Sequence, residues 1–481
     1  MARLAAALLA ALLAASAGAQ PYPTPPAPAA PRPLAIAAPA EARLGNGLRV
    51  VVARRDGLPL VSAALVVLSG SEADPPALPG LASLTAALLT QGTRTRSAPQ
   101  LAAAAEALGG SLESGAGWNQ ATVGITVTTP RLDAALALVA EVATEPVFAP
   151  AELERLRTQT LDALKVAYAS PGPLADRVAD RLTYGAGPYG HPSSGTPQSL
   201  PRIQRQDLLA LHRQTFRPDH AVLILAGDID GDTGIALARK HFGTWRNPAG
   251  AAPAAAPARA DVGTATTAIV DVARSGQAAV VVTLALPPRS GAEPAIAAVL
   301  NAVLGGGYSS RLSQEIRIRR GLSYGAFSGI EPRREAALLR LTMQTKNESA
   351  AEVVALALAE LDRLAAAPVE ADELAARKAT LIGAFSRSVE TTAGLASAVR
   401  GLVVSRRSPA ELNTRIAALS AVGAEDVQRY AAAHLGPAGR RVVVAGESAA
   451  FGAALAALRP GTATLSAEGL DIERAVVAPA R

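Results

Sequence analysis

Apolar residues in this chain fall in two kinds of segment: short unbroken runs, and longer stretches where they recur every three to four positions. The runs read as strands and the longer stretches as amphipathic helices. Strands are predicted at Leu48–Val52, Val61–Leu68, Ala121–Val127 and Val222–Ala226, and again at Thr266–Val272, Ala278–Leu286, Ala337–Gln344 and Val442–Ala445. The first two are joined too closely for a helical crossover, which predicts antiparallel pairing between them. The expected fold class is α+β, a mostly antiparallel sheet with helices packed on one face.

The pattern occurs twice. Asp207, Pro218 and Gly227 punctuate one helix–turn–strand stretch, and Asp426, Pro437 and Gly446 punctuate another. Each pair is 219 residues apart, since 426 − 207, 437 − 218 and 446 − 227 agree. Upstream, the helix starts after Pro146 and Pro368 match in kind, each opening on an acidic turn. The chain therefore reads as two homologous halves, 41–249 and 262–470, joined by a Pro/Ala-rich linker at 250–261 and followed by a tail at 471–481.

Composition narrows the function. The sequence is 49% hydrophobic but only 3% aromatic, so its core is built from Ala, Leu and Val. The net charge of +6 is spread along the chain, and its densest basic run, Arg317 to Arg320, has no alternating aromatics. That pattern argues against nucleic-acid binding. No cysteine is present, which excludes disulfides, thiolate metal sites and cysteine catalysis. Arg3, the apolar run Leu4 to Ala15 and the A-x-A site at Ala17–Ala19 predict a cleavable signal peptide at 1–19, with a Pro/Ala tether over 20–40. A periplasmic location follows from it. The apolar run is shorter than the roughly 20 residues a membrane span takes, so no stable span is expected.

The chemistry turns on Gly80 to Thr93, GLASLTAALLTQGT. This segment resembles the signature of the insulinase/pitrilysin (mitochondrial-processing-peptidase-like) metallopeptidase family, in which G-x-A-H-x-x-E-H is followed by G-T on the same spacing. In that family two histidines one helical turn apart face one zinc ion, and the glutamate activates the metal-bound water. Here Ser83, Ala86 and Ala87 stand in the His, Glu and His positions, while Gly80, Ala82, Gly92 and Thr93 keep the frame. The resemblance puts Ala163 at the third ligand position, and Asp162 beside it points about 100° away on a helix. Among His191, His212, His220, His241 and His434 there is no i,i+4 pair and no H-x-x-E-H in either direction, so they are expected to be structural.

In the second half, Leu304 to Phe327, LGGGYSSRLSQEIRIRRGLSYGAF, resembles a family segment that carries an Arg and a Tyr seven residues apart. In the family these reach the substrate and the oxyanion at the zinc, and Arg317 and Tyr324 match them. A guanidinium fork suits a peptide carbonyl, and a phenol can donate to developing negative charge. Arg319 and Arg320 share the charge but not the matched position and are expected to tolerate alanine. A helix is predicted over Arg311–Arg320, N-capped by Ser309 or Ser310 and ended by Gly321. The resemblance also implies an edge strand that receives extended peptide at Ser111, Leu112, Glu113 and Ser114.

The resemblance implies a clamshell of two halves that lacks its own catalytic residues, metal site and cofactor. It implies a non-catalytic, substrate-binding subunit of a heterodimeric zinc metalloendopeptidase, which completes the active site of an HxxEH-bearing partner that holds the zinc. Extended peptides would be the substrates. A stand-alone peptide-binding or scaffold protein of the cell envelope is the alternative. A two-lobed solute binder is disfavoured, because such lobes are parallel βαβ structures.

Overall fold

A computed structural model describes residues 36–250, 262–288 and 293–472. The predicted signal peptide, most of the tether, nearly all of the linker and most of the tail lie outside the described residues.

The first half carries strands β1 (Ala40–Arg43), β2 (Arg49–Arg54), β3 (Leu60–Val67), β4 (Glu113–Ala116), β5 (Ala121–Thr128) and β6 (Ala221–Gly227). Its helices are α1 (Leu81–Leu88), α2 (Ala98–Ala107), α3 (Leu132–Thr144), α4 (Pro150–Tyr168), α5 (Pro171–Tyr184), α6 (Arg205–Thr215) and α7 (Gly231–Phe242). The second half follows with β7 (Thr267–Asp271), β8 (Ala278–Leu286), β9 (Ser323–Pro332), β10 (Ala337–Thr345), β11 (Arg441–Gly446) and β12 (Ala463–Ser466). Its helices are α8 (Glu293–Leu304), α9 (Ala350–Ala366), α10 (Ala371–Ser388), α11 (Thr392–Val404), α12 (Arg415–Ala421), α13 (Ala424–His434) and α14 (Gly452–Leu458).

Each half forms one six-stranded sheet, ordered β1-β2-β6-β3-β5-β4 and β12-β7-β11-β8-β10-β9. The sheets are mostly antiparallel, with parallel pairing at β2–β6, β7–β11 and β7–β12. The fold class is therefore α+β, as the sequence implied. The expected pairing of the first two predicted strands is corrected: β6 lies between β2 and β3, parallel to one and antiparallel to the other. The five residues between β2 and β3 suffice to step over one intervening strand, a span of about 10 Å.

The repeat offset has a structural counterpart. Asp207 accepts the Gln204 N–H at the start of α6, and Asp426 accepts the Gly423 N–H at the start of α13. Gly227 and Gly446 end the equivalent strands where another segment passes close. A Cβ would lie 2.1 Å from Leu60 O at Gly227 and 2.6 Å from Asn347 Oδ1 at Gly446.

Each sheet receives helices on both faces. In the first half Val50, Val52, Leu223 and Leu225 face that half's own helices, while Val51, Ala53, Val222 and Ile224 face Leu395, Val399 and Val403 of α11. Reciprocally, Ala279, Val281 and Val443 of the second sheet pack on Leu174, Val178 and Leu182 of α5. The halves thus exchange one helix each. Burying each of these leucines and valines stabilises by about 1.5–3 kcal/mol, so the exchange welds the halves together.

Polar contacts fix the same junction. Arg334, in the β9–β10 turn, donates to the carbonyls of Leu68 and Asn119 at 2.7 Å each and to Glu72 Oε1 at 3.2 Å. Arg340 on β10 binds Asp180 Oδ1 at 2.6 Å and Asp176 Oδ1 at 3.1 Å, both on α5, and Glu331 Oε1 at 2.7 Å.

Candidate functional site

Helix α1 begins at Gly80, whose φ of +92° and close approach to Gly195 (2.7 Å from a built Cβ to Gly195 Cα) both demand glycine. The buried Asp74 carboxylate accepts the N–H of Gly80 at 2.8 Å and of Ala82 at 2.7 Å, tying down the helix start. Burial raises the Asp74 pKa well above its ordinary value, against the pull of these two N–H groups.

From this anchored start α1 presents Ser83, Ala86 and Ala87. Ser83 Oγ donates to Ser193 O at 2.6 Å, so the hydroxyl serves as a tie to a neighbouring loop. Ala86 is fully buried and Ala87 half-buried. Helix α4 packs against α1, with Ala163 exposed and Asp162 turned to solvent, where it pairs with Lys165 at 2.8 Å. At the far end, Thr93 Oγ1 donates to Glu141 Oε1 at 2.6 Å, which anchors the Gly92-Thr93 turn. Methyl groups and a hydroxyl cannot hold a divalent zinc ion at this position. Among the described residues no cluster of three His, Asp or Glu is placed to bind a metal.

The histidines are engaged elsewhere. His191 Nε2 contacts Ser71 O at 3.0 Å and His220 Nε2 contacts Leu68 O at 2.7 Å. His241 pairs with Asp133 at 2.7 Å, and the His434 ring lies 4.5 Å from that of Tyr430. His212 donates from Nε2 to Ala143 O at 2.9 Å and lies against the rings of Phe148 and Phe216. Burial lowers its pKa to about 4, so it is neutral at pH 7.

Strand β4 forms the outer edge of the first sheet, bonded on one side to β5. Of the predicted peptide segment, Glu113 and Ser114 lie in β4, Ser111 and Leu112 lead into it, and Leu112 packs against the core. Ser114 Oγ and Thr90 Oγ1 meet at 3.4 Å, which joins the edge to the end of α1. Beside β4 runs a cleft of about 830 Å³, lined by Ser111, Glu113, Gly115 and Thr122 and closed by Ser397 and Arg400 of α11.

The second half supplies a charged counterpart. After α8, Gly305 lets the chain touch β9, since a Cβ there would lie 2.4 Å from Ser328 N. The predicted helix forms, with a π-helical stretch over Ser313–Arg319. Such wide turns concentrate at functional sites. Ser310 does not cap it in the expected way, because its hydroxyl donates to Gly307 O at 2.5 Å. Gly321, at φ +64°, ends the helix as expected, its N–H bonding to Arg317 O at 3.1 Å.

This geometry brings Arg317 and Tyr324 together. The guanidinium lies 4.8 Å from the ring centroid of Tyr324 and 4.8 Å from that of Tyr308, sandwiched between them. Tyr324 is 89% exposed and Tyr308 60%. Among the described residues Arg317 pairs with no carboxylate. Arg319 and Arg320 both bind the buried Glu315, at 3.0 and 2.9 Å. They are therefore not neutral controls, contrary to the sequence expectation, because removing either strips charge compensation from a buried carboxylate. Sequence reasoning missed Tyr308. Its signal was an aromatic residue directly after the glycine run, in a chain with few aromatics.

The chain is similar to known proteins over most of its length. Residues 49–195 match the model of the insulinase family (peptidase family M16), and residues 202–381 match that of the peptidase M16 inactive domain. An uncharacterized zinc protease of Mycobacterium leprae (strain TN) is 31% identical over 290 residues, which span 60% of this chain and 65% of that protein. Another, from Mycobacterium bovis, is 29% identical over 421 residues, 84% of this chain and 94% of that protein. The crystal structure of a peptidase M16 inactive domain from Pseudomonas fluorescens superposes with a TM-score of 0.79 at 25% identity, covering 85% of this chain and 98% of that one.

Proposed function

The chain belongs to the insulinase family (peptidase family M16) and lacks the family's catalytic motif, and from that premise we propose that it is the non-catalytic, substrate-binding subunit of a heterodimeric zinc endopeptidase. The observation that carries the proposal is Arg317, held between two exposed tyrosines and paired with no carboxylate among the described residues. A guanidinium that meets no carboxylate among the described residues and lies over two tyrosine rings is prepared to donate to an external acceptor. The exposed Tyr324 phenol beside it can donate to an oxyanion.

In this reading the HxxEH-bearing partner holds the zinc and supplies the activated water. This chain holds no zinc, since Ser83, Ala86, Ala87 and Ala163 offer no ligands. It contributes Arg317 to orient the substrate carbonyl and Tyr324 to stabilise charge formed in the transition state. The edge strand β4 and its cleft would take an extended peptide by backbone pairing. The N-terminal segment supports export to the periplasm. Among the described residues no helix is long and apolar enough to cross a membrane. The cleft, built entirely within one chain, is what favours the second reading, a stand-alone peptide-binding protein of the envelope.

Steady-state proteolysis by the chain reconstituted with an HxxEH homologue from the same host tests the proposal. Tyr324→Phe is expected to lower kcat by roughly 10²-fold, and Arg317→Ala to affect both KM and kcat, with assembly intact. Full activity of both variants would refute the shared site, and peptide binding without any partner would favour the second reading.

A further inference from the structure

Helix α11 has a second flank, beside the one packed on the first sheet. Ser397, Gly401 and Ser405 recur at four-residue spacing there, so Leu402 is the one large side chain brought to the adjoining pocket by this flank. Opposite it stand α10 and α12, and the space between is a pocket of about 360 Å³. Its floor is apolar, with Phe385, Leu402, Leu412 and Leu419 among its lining residues. A volume of this size is typical of small-molecule sites.

Two arginines reach this apolar space. The α11 helix ends with Arg406 in the left-handed region, at φ +55°, a position usually given to glycine. The Arg406 N–H bonds to Val403 O at 3.0 Å and the Arg407 N–H to Leu402 O at 2.8 Å, and this turn sends Arg407 back toward the pocket. Arg407 is neutralised by Glu411, four residues further along the chain. Arg415 is not neutralised. Its guanidinium lies 5.4 Å from the Phe385 ring centroid, and among the described residues it makes no ion pair. Burial, and then the Arg407 charge, lower its pKa, so the charge sits in a place that disfavours it. With two guanidiniums and one carboxylate among the described residues, the pocket carries one uncompensated positive charge against an apolar wall.

We propose that this pocket binds a small organic carboxylate with an apolar body, its carboxylate on the Arg415 fork and its body against Phe385 and the leucines. A bidentate carboxylate supplies both the charge and the acceptors that Arg415 lacks, and the remaining volume suits a short acyl chain or an apolar dipeptide. Glu411 does not repel such a ligand, because Arg407 already holds it.

Calorimetric titration of the full mature chain tests this with four probes: decanoate, N-acetyl-Leu-Leu, and their neutral counterparts decan-1-ol and N-acetyl-Leu-Leu amide. One carboxylate is expected to bind one per chain, at least tenfold tighter than its neutral counterpart. Which of the two binds identifies a lipid-derived or a peptide-derived ligand. Arg415→Met keeps an aliphatic stem over Phe385 and is expected to weaken binding at least tenfold. Gly401→Leu directs a side chain into the pocket, where a Cβ meets no atom within 4 Å; it is expected to abolish binding without impairing folding, checked by thermal unfolding. No binding by either carboxylate, equal binding of acid and neutral probe, or wild-type affinity in either variant overturns the proposal.

Discussion

The two sheets differ at one shared position that decides what lies beneath the exchanged helices. Arg340 on β10 pairs with Thr283, which pairs with Arg441, and Thr122 on β5 pairs with Val66, which pairs with Val222. Since 441 − 222 equals the repeat offset of 219, Arg340 and Thr122 are equivalents. In the second half the long arginine fills the space under the exchanged helix α5 and holds Asp176 and Asp180. In the first half a threonine leaves that space open under α11, and the 830 Å³ cleft is the result. One duplicated frame has thus become a sealed junction on one side and a groove beside an edge strand on the other. Divergence of a few side-chain lengths, with the backbone kept, is sufficient.

Breaking the sealed side is expected to have the largest effect. Arg340→Met leaves Asp180 and Glu331 partly buried without their shared partner and is expected to cost about 3–5 kcal/mol, read from urea unfolding. A cost near zero would mean that the ion cluster does not hold α5.

A second comparison is electrostatic. His212 in the first half corresponds to the non-titrating Ala431 in the second, since 212 + 219 = 431. The His212 pKa is depressed to about 4, so the stability it permits is present above pH 6.5 and is lost as pH falls from 6.5 toward 4. Asp180 acts in the opposite sense. Burial raises its pKa to about 6, and its contribution is greatest below the ordinary carboxylate range and is lost as pH rises through 6. Each slope is at most about 1.4 kcal/mol per pH unit, and between pH 6 and 4 they oppose. Relative to wild type, His212→Gln is expected to gain stability on acidification and Asp180→Asn to lose it. Parallel pH profiles for all three proteins would count against these assignments.

The smallest stability effect is expected on the open side. Thr122→Phe places a ring in existing space and is expected to change stability by less than about 1 kcal/mol. By filling the cleft it should nevertheless abolish binding of a fluorescein-labelled extended peptide, measured by anisotropy. Retained peptide affinity would separate the cleft from peptide capture.

Much of this was legible in the sequence, and particular residues show where legibility stopped. Asp207 with Asp426 and Gly227 with Gly446 announced the duplication, and their capping and close-packing roles are local. Arg317 and Tyr324 were singled out through the resemblance of their segment to the family's, and the fold sets them side by side. Tyr308 was not, because its contact with Arg317 forms only after the glycine turn and the π-helical stretch fold the segment back. The unbroken apolar runs, such as Val50 to Ala53, carried a further signal: a strand buried on both faces shows no alternation.

By itself the sequence determined four strands of each half, their order and the two-fold repeat, since each is written in local periodicity, and the family resemblance added the absence of the catalytic motif, written in the identity of single side chains. Tertiary structure alone decided that β6 would insert between β2 and β3, that α5 and α11 would exchange sheets, and that Arg340 would seal one junction while Thr122 left the other open. These choices join residues more than 300 positions apart, as Ser62 and Thr392 are joined across 330. The apolar pattern says only that a face must be buried; shape and charge complementarity in the assembled chain select which partner buries it.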